Sequence, residues 1–282
     1  MKKAIFSTEI SLLRSTMQRL LRRSAHSNIT KILRKTHQAD VALIMRSLNQ
    51  YDQKTVFSLC PTALHKARLL EELDESLIEK VLQHESSKTI SKIFRYLDTN
   101  DQATIVGMLS QDKQNEILKI IEVDDKEEVE EIMSYPDDSA GSIMTKETFT
   151  LNQSTSVKDS IKKLQSFPEN DKIFYLYVLD NKEKLVGVVS LRTLVTSKNS
   201  KKLKDIMIKD IQAATTDTDQ EEVAKKVAQY NYLALPVVNK QNRFLGIVTI
   251  DDVVDIIREE ASEDFLQMAG VGKDREILLK SP

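Results

Sequence analysis

GVVSLRTLV at 187–195 and GIVTIDDVV at 246–254 decide the fold of the second half, because one repeats the other after 59 residues. In both stretches a β-branched apolar run follows a glycine and predicts a strand. The Ser or Thr after that run predicts the start of a helix. VLD at 178–180 and VVN at 237–239 repeat with the same offset.

The repeat extends on either side of these two stretches. IMT at 143–145 matches IMI at 206–208. Further strand-like runs stand at 173–179, 185–190, 235–238 and 244–249, with helical stretches between them. Two copies of one small α+β unit therefore follow each other. Neither copy holds much apolar sequence of its own, so we expect the two to share one core.

The first half of the chain predicts short helices. Apolar residues recur there at spacings of three and four, and no alternating strand pattern appears before about residue 148. Asp74, Asp98 or Asn100, and Asp112 stand where N-caps are expected. A longer helix is predicted over about 112–133, ending before Tyr135-Pro136. Many short helices of similar length indicate a stacked helical array.

Composition is that of an ordinary globular protein, with 40% hydrophobic and 30% charged residues among 282. No apolar stretch approaches the 18 or so residues that span a bilayer, and Ser7, Thr8 and Glu9 interrupt any signal peptide core. The single Cys60 excludes an internal disulfide and fits a reducing compartment. We expect Cys60 to be a small buried side chain.

The net charge of −2 is unevenly spread. Residues 1–40 hold nine Lys/Arg against two acids, a basic start that suits either solvated helix faces or an anionic membrane surface or nucleic acid. No DNA- or RNA-binding motif accompanies it, so we expect no nucleic-acid partner. Residues 122–138 hold nine Asp/Glu against Lys126, and residues 251–264 hold seven against Arg258.

The acidic residues after Asp251 form a stripe on the predicted helix. At 100° per residue, an arc of about 80° holds Asp252, Asp255, Glu259 and Glu263, with Glu260 and Asp264 beside it. The predicted apolar face lies opposite and holds Val254, Ile257, Phe265 and Met268. The stripe suits either a solvated acidic face or a metal site. Carboxylate oxygens without a Cys or His cluster favour a hard divalent cation such as Mg²⁺, Ca²⁺ or Mn²⁺.

Several strings resemble one family in order and spacing. They are YPDDSAGSIMT at 135–145, TDTDQEEVA at 216–224, VTIDDVVDI at 248–256 and EEASEDFLQMAGV at 259–271. They resemble the cytosolic region of MgtE-type magnesium transporters. The resemblance implies an all-α superhelical N-terminal domain at 1–134, followed by an α+β tandem CBS-domain pair with units at 135–202 and 203–262. Residues 263–282 would begin a connecting helix.

The resemblance also implies a function. Mg²⁺ would bridge acidic faces of the N domain and the CBS pair and hold a closed state, in a homodimer formed through the CBS pair on the cytoplasmic side of the membrane. ILLKSP at 277–282 looks like a chain cut partway into the connecting helix, so a transmembrane pore of the same chain is expected to follow. A poreless relative is the alternative. No nucleophile–base set, P-loop or Rossmann fingerprint indicates an enzyme.

Matching the family's motifs gives a set of implied Mg²⁺ ligands. They are Gly141 and Ala228 by their backbone carbonyls, and Asp219, Glu221, Asp252, Asp255, Glu260, Glu263 and Asp264. Asp219 is equally well placed as an N-cap, and Gly141 as a turn glycine. Two positions depart from the family. Asn231 stands where the family has an aspartate, which weakens the site beside Ala228. In the N domain only Asp101 keeps a charge, with Asp98 as a substitute partner.

CBS pairs often bind adenine nucleotides, which leaves ATP open as a second ligand. The family's phosphate and ribose signature, Ser/Thr followed three residues later by Asp, is kept as Thr249 and Asp252. The first copy has Ser190 but lacks the Asp. Tyr175 would stack on adenine and Arg192 would pair with phosphate, whereas ordinary strand packing is the other interpretation of Tyr175. The alternative function is a nucleotide-responsive module with a helical protein-interaction domain.

Overall fold

Polar residues that start helices recur about every twelve residues through the first half of the chain. The computed structural model describes the backbone of residues 2–167 and 173–268, with side chains except those of 2–8, 123–124, 259 and 262–268. The N-cap positions are His37, Asn49, Thr62, Asp74, Ser86, Asp98 and Ser110. Asp74, for example, accepts a hydrogen bond from the backbone N–H of Leu77 at 3.2 Å. Helices of eight to ten residues follow each of these caps.

The chain divides into two compact units, Met1–Glu130 and Glu131–Pro282. Helices of the first unit are α1 (Lys2–Arg22), α2 (His26–Leu33), α3 (Gln38–Met45), α4 (Gln50–Ser58), α5 (Ala63–Leu70), α6 (Glu75–Leu82), α7 (Ser87–Phe94), α8 (Thr99–Met108), α9 (Gln111–Ile120) and the start of α10 (Val123–Met133). Helices α3, α5, α7 and α9 form one row, in which each packs against the next. Helices α4, α6 and α8 form a second row in the same way. The predicted stacked helical array is confirmed.

Buried glutamines tie neighbouring helices of the array together. The side-chain amide of Gln53 donates to the carbonyl of Met45, which ends the preceding helix, and to that of Leu48 in the turn after it. Gln102 donates to Phe94 and Leu97 in the same way. A glutamine five residues after a leucine therefore binds that leucine's carbonyl and the last carbonyl of the preceding helix, which adds a side-chain link between neighbouring helices.

Two sequence predictions for this unit were wrong. The helix expected over 112–133 is two helices, because Ile121 is extended at ψ 157° and ends α9. The next helix starts after Glu122, which continues the twelve-residue spacing. Asp112 lies inside the first turn of α9, whose N-cap position belongs to Ser110. Cys60 is buried as expected, and burial raises the pKa of its thiol to about 12.

The second unit contains both copies of the repeat. Its elements after α10 are α11 (Ala140–Ile143), β1 (Thr150–Asn152), α12 (Val157–Ser166), β2 (Tyr175–Leu179), β3 (Leu185–Ser190), α13 (Leu191–Thr196), a 3-10 turn (Leu203–Asp205), β4 (Ala214–Thr215), α14 (Gln220–Tyr230), β5 (Ala234–Val238), β6 (Phe244–Thr249) and α15 (Ile250–Met268). The four predicted strands are confirmed as β2, β3, β5 and β6. The short strands β1 and β4 were missed.

The strand register of the first sheet is repeated in the second sheet at the same sequence offset. Each sheet has the order parallel then antiparallel, β1-β2-β3 and β4-β5-β6. Gly187 lies opposite Val178 in the first sheet, and Gly246 lies opposite Val237 in the second. The register shift next to each of these valines falls at the same place in both hairpins. The 59-residue offset is therefore a repeat of backbone geometry.

The two copies interlock through their leading segments. Thr145, before the first sheet, pairs with Ile247 of β6, while Ile208, before the second sheet, pairs with Val188 of β3. One buried cluster draws from both copies and holds Tyr177, Leu185, Ala234, Val238 and Ile247. The expectation that the copies share a core is confirmed. None of the helices in the described part of the chain is long and apolar enough to cross a membrane.

Candidate functional site

The junction before the first sheet is fixed by its own hydrogen bonds. Ser139 caps α11, accepting from the N–H of Ser142 at 3.4 Å, and Ser142 Oγ accepts from the N–H of Ser139 at 3.2 Å. The N–H of Gly141 donates to the Thr216 carbonyl at 3.0 Å, and that of Ala140 to Thr218 at 2.7 Å. The segment 139–141 is thereby held against the chain that leads into α14.

Gly141 is not a turn glycine. It lies within α11, is buried, and would need no unusual backbone angle. A Cβ at this position would come within 2.5 Å of the Tyr135 ring, so the close approach of that ring explains the glycine. The Tyr135 hydroxyl donates to Glu131 at 2.8 Å, and Lys146 forms an ion pair with the same carboxylate. Burial, then the Glu131 carboxylate, raises the pKa of Tyr135 to about 12.

Four of the predicted ligands gather near the start of α14. Asp219 is the N-cap and accepts from the N–H of Glu221 at 2.8 Å. Asp219 also pairs in a β-bridge with Ser139, next to Gly141. Glu260, from α15, accepts a hydrogen bond from the Gln220 side chain at 3.0 Å. The structure thus brings Gly141, Asp219, Glu221 and Glu260 into one neighbourhood, although they come from three elements.

A lysine that sequence reasoning did not single out lies among these carboxylates. Lys225 pairs with Glu221 at 2.8 Å. The pKa of Lys225 is raised, first by the hydrogen bond that its ammonium group donates to Glu221 and then by the charges of Glu221, Asp219 and Glu260. The spacing of Glu221 and Lys225, i to i+4 on a helix, was the available signal. One cation therefore sits in the field of three carboxylates.

The acidic stripe on α15 departs from its prediction in one respect. Val253 and Ile256 are the buried residues, at 0% and 5% exposure, while Val254 and Ile257 are 38% and 46% exposed. The predicted apolar face with Val254 and Ile257 is wrong at both residues. The buried face runs alongside the stripe rather than opposite to it. Phe265 and Met268 lie outside the described side chains.

Asp252 and Asp255 each interact with a side chain three residues away. Asp252 accepts from the Thr249 hydroxyl at 2.6 Å and from the Thr249 N–H at 3.3 Å. Asp255 pairs with Arg258 at 3.1 Å on an exposed surface, where such a pair contributes little to stability. The side chains of Glu259, Glu263 and Asp264 lie outside the described part of the structure.

Ala228 and Asn231 mark the opposite end of α14 from Asp219. Nine residues of helix place Ala228 about 13 Å from Asp219 along the axis, so the two belong to different sites. Asn231 is the C-cap at φ 54°, a left-handed conformation that Asn tolerates well. The Ala228 carbonyl is among the last four of the helix, which lack partners within the helix and carry partial negative charge. Asp101 lies in the first turn of α8, in the other unit.

The donor set fits a hydrated Mg²⁺ ion. All candidate groups are carboxylate or carbonyl oxygens, which Mg²⁺ prefers, and Mg²⁺ keeps several waters when it binds. Within the residues whose side chains are described, no three acidic, His or Cys side chains are close enough to enclose one metal ion directly. A water-mediated site, or one completed by further groups, agrees with this arrangement.

Of the predicted nucleotide residues, only Tyr175 lines the small cleft found beside β2. Tyr175 begins β2 and is paired with Ser190 at the end of β3. In the second copy Ala234 and Thr249 are paired in the same way. Arg192 is exposed in the first turn of α13. The cleft is lined by Glu147, Thr148, Phe149, Ile173, Phe174, Tyr175, Tyr177, Ala234 and Ile247.

Tyr177 lines this cleft and was missed by sequence reasoning. The residue is 2% exposed, and its hydroxyl has no hydrogen-bond partner among the described residues. Burial raises the pKa of this phenol well above its ordinary value, with a smaller effect of Tyr175. A buried hydroxyl without a partner is costly unless something else accepts or donates there. The cleft beside Tyr175 therefore has a buried, unsatisfied hydroxyl on one of its lining side chains.

Comparison with known families supports both halves separately. The model described as the MgtE intracellular N domain matches residues 36–138, and the CBS domain model matches 140–199 and 203–259. The magnesium transporter MgtE of Bacillus subtilis (strain 168) is 41% identical over 158 residues, 56% of this chain and 35% of that protein. MgtE of Thermus thermophilus is 39% identical over 145 residues, 51% of this chain and 32% of that protein. The chain spans about a third of the length of these relatives.

Two solved structures resemble most of the chain. The cytosolic domain of the Mg²⁺ channel MgtE in complex with ATP has a TM-score of 0.80 and 28% identity, over 86% of this chain and 99% of that chain. The soluble part of a magnesium transporter has a TM-score of 0.76 and 23% identity, over 89% and 99%. At that lower identity the second likeness shows the fold alone. The predicted fold class is confirmed.

Proposed function

The chain carries the intracellular N domain and the CBS pair of the MgtE family, and we propose that it senses Mg²⁺ and controls the gate of a magnesium transporter. The proposal includes a homodimer formed through the CBS pair, a pore domain in the same polypeptide and a position on the cytoplasmic side of the membrane. It is a regulatory function, without an enzymatic step.

The carboxylates around Lys225 carry this proposal. Among the described side chains, Lys225 lies in the field of Asp219, Glu221 and Glu260, and the charges of three carboxylates exceed that of one ammonium group. Two carboxylates about 4 Å apart near a protein surface repel by roughly 4 kcal/mol at an effective dielectric of 20. Residues 122–138, which include α10, hold nine more acids and one lysine. Such surfaces approach each other only when cations neutralise them.

We infer the gating step from this balance of charge. At high Mg²⁺ the acidic faces of the N domain and the CBS pair are neutralised and stay together, and at low Mg²⁺ they repel and separate. A ligand shifts such an equilibrium only by its difference in affinity for the two states. Candidate ligands are the clustered Asp219, Glu221, Glu260 and the Gly141 carbonyl, with Asp252, Asp255, Glu263 and Asp264 on α15. The Ala228 carbonyl with Asn231, and Asp101 in the N domain, complete the proposed set.

Limited proteolysis of the segment 130–142 tests this function. We expect millimolar Mg²⁺ to protect the segment and to reduce the radius of gyration measured by X-ray scattering. The double variant Glu221→Gln/Glu260→Gln should raise the half-protecting Mg²⁺ concentration about tenfold, a change of ~1.4 kcal/mol. Glu75→Gln/Glu79→Gln changes the charge equally on exposed positions of α6 and should leave that concentration unchanged. Identical cleavage in chelator and in excess Mg²⁺ would contradict the proposal.

Adenine nucleotide binding is a second proposed function of the same unit. A relative of known structure binds ATP, and the cleft beside Tyr175 contains the unsatisfied Tyr177 hydroxyl. Tyr175, Ser190, Arg192, Thr249 and Asp252 are the proposed ligand residues. Calorimetric titration with ATP and AMP separates the two functions. Tight nucleotide binding together with no response to Mg²⁺ would favour the nucleotide-responsive module.

A further inference from the structure

Helix α1 presents a cationic surface that the Mg²⁺ proposal does not use. The helix runs over Lys2–Arg22 and packs on α2 and α3 through the fully buried Met17. Opposite Met17, an arc of about 80° holds Leu12, Ser15, Arg19 and Arg22. All four side chains are exposed, and Leu12 is 68% exposed. An aliphatic side chain thus stands among arginines on the outward face.

The surrounding charge is one-sided. Exposed cations of the first two helices and the turns after them are Arg14, Arg19, Arg22, Arg23, Lys31, Arg34 and Lys35. Across the described side chains, none of these seven has a carboxylate within ion-pair distance. Residues 1–40 hold nine Lys/Arg and two acids although the whole chain has a net charge of −2. The positive surplus is therefore concentrated at this end.

We propose that the outward face of α1 docks on the anionic headgroups of a lipid bilayer. Arginines that surround an exposed leucine suit the boundary between headgroups and acyl chains, where cations meet phosphate and an aliphatic group is buried. A nucleic-acid backbone would use the arginines but not Leu12. The inference rests on the proposed transporter function in one respect, the nearness of a membrane.

The surface lies outside the residues that the N-domain family model matches. The family model begins at residue 36, after α1 and α2. Helices at the end of a stacked array need a polar outer face for solubility, but a solubilising face is served by mixed charges as well as by cations alone. The bias toward arginine, without interleaved acids apart from Glu9, fits a partner of opposite charge.

Vesicle co-sedimentation of the full chain tests the proposal. We expect binding to vesicles of phosphatidylcholine with phosphatidylglycerol, and none to phosphatidylcholine alone. Because each interfacial basic residue strengthens binding about fivefold, Arg19→Gln/Arg22→Gln should lower the partition coefficient about 25-fold. Lys198→Gln/Lys201→Gln removes the same charge from exposed positions of the second unit and should change it by less than about twofold. Leu12→Ser should lower it by about tenfold.

Several outcomes would overturn the docking proposal. These are failure to bind the anionic vesicles, equal losses in the two double variants, or no loss with Leu12→Ser. Binding of single-stranded RNA at a salt concentration that abolishes vesicle binding would assign the surface to nucleic acid instead. Self-association that Arg19→Gln/Arg22→Gln abolishes, without vesicle binding, would assign it to a second copy. Mg²⁺-dependent protection of 130–142, measured without vesicles, reports on the sensor function independently.

Discussion

The two copies of the repeat share a buried frame and differ on their exposed helices. Strand pairing and register shift coincide at the 59-residue offset. The helices α12 and α14, 63 residues apart, keep the sign of charge at three matching positions but reverse it at one, where Lys158 in the first stands for Glu221 in the second. Thr193 likewise stands where the second copy has Asp252. Burial constrains the frame in both copies, whereas exposed positions are free to acquire separate functions.

The largest difference between the copies is expected at their strand glycines. A Cβ at Gly246 would lie 2.5 Å from the Thr145 carbonyl, which accepts from the Ile247 N–H at 3.0 Å. A Cβ at Gly187 would instead meet the side chain of Met207. A thioether side chain can turn away, but a paired backbone cannot.

We therefore expect Gly246→Ala to lower the free energy of unfolding by about 3 kcal/mol and Gly187→Ala by about 1 kcal/mol. Urea denaturation of both variants, followed by circular dichroism, measures the two values. Equal losses would show that the leading segment before β1 yields as readily as Met207, and the comparison of the two interlocking contacts would fail.

The frame was predictable because its signals are local and repeated. A glycine, a β-branched run and a capping Ser or Thr recur in the sequence and directly give β3, β6 and the helices after them. The face of α15 was not predictable in this way. The run Val253, Val254, Asp255, Ile256, Ile257 offers two apolar faces at the same spacing of three, and packing on α14 and β6 selects Val253 and Ile256.

The candidate site was only partly predictable from the sequence. Asp219, Glu221 and Glu260 were named from motifs, but their meeting depends on how α14 and α15 pack. Lys225 and Tyr177 were missed because each looks ordinary alone, a lysine in a charged helix and a tyrosine in a strand. Their interest comes from neighbours distant in sequence or, for Tyr177, from a buried hydroxyl that the described residues do not satisfy.

The next difference in stability is expected at Lys146 and Lys209, which occupy matching positions in the segments before the two sheets. Lys146 is paired with Glu131, and its side chain is 14% exposed. Its counterpart Lys209, 63 residues later, has an exposed side chain. Lys146→Gln should lower the free energy of unfolding by about 1 kcal/mol, a value reduced by the 38% exposure of Glu131. Lys209→Gln should change it by less than about 0.5 kcal/mol.

The Lys146 effect should depend on pH. Burial alone would raise the pKa of Glu131, but hydrogen bonds from Lys146 and Tyr135 and the Lys146 charge outweigh it and hold the pKa below its ordinary value. A carboxyl with a depressed pKa in the folded state stabilises above its unfolded pKa, and loses this contribution as the pH falls through the folded pKa. The difference between wild type and Lys146→Gln should shrink below about pH 4.5. A constant difference down to complete acid unfolding would contradict this assignment.

Variants at two matching helix N-caps should distinguish an effect on stability from an effect on the response to Mg²⁺. Ser156 caps α12 and Asp219 caps α14, at matching positions of the two copies. Ser156→Ala and Asp219→Ala should each cost about 1 kcal/mol of unfolding free energy. Only Asp219→Ala should raise the Mg²⁺ concentration that protects the segment 130–142. Equal Mg²⁺ responses of the two variants would remove Asp219 from the proposed ligands and leave it as a cap.

The smallest effect should have the opposite sign. Tyr177 occupies the position of Pro236 in the second copy and stacks on Phe244, with ring centroids 5.0 Å apart. Tyr177→Phe keeps that stacking and removes a buried hydroxyl for which the described residues supply no partner. The variant should gain about 0.5–1 kcal/mol of unfolding free energy. A loss of stability in the ligand-free protein would mean that the hydroxyl is already satisfied, for example by water. A gain accompanied by weaker ATP binding would show that this hydroxyl is kept for a ligand, and that the copies diverge inside their shared core as well as on their surfaces.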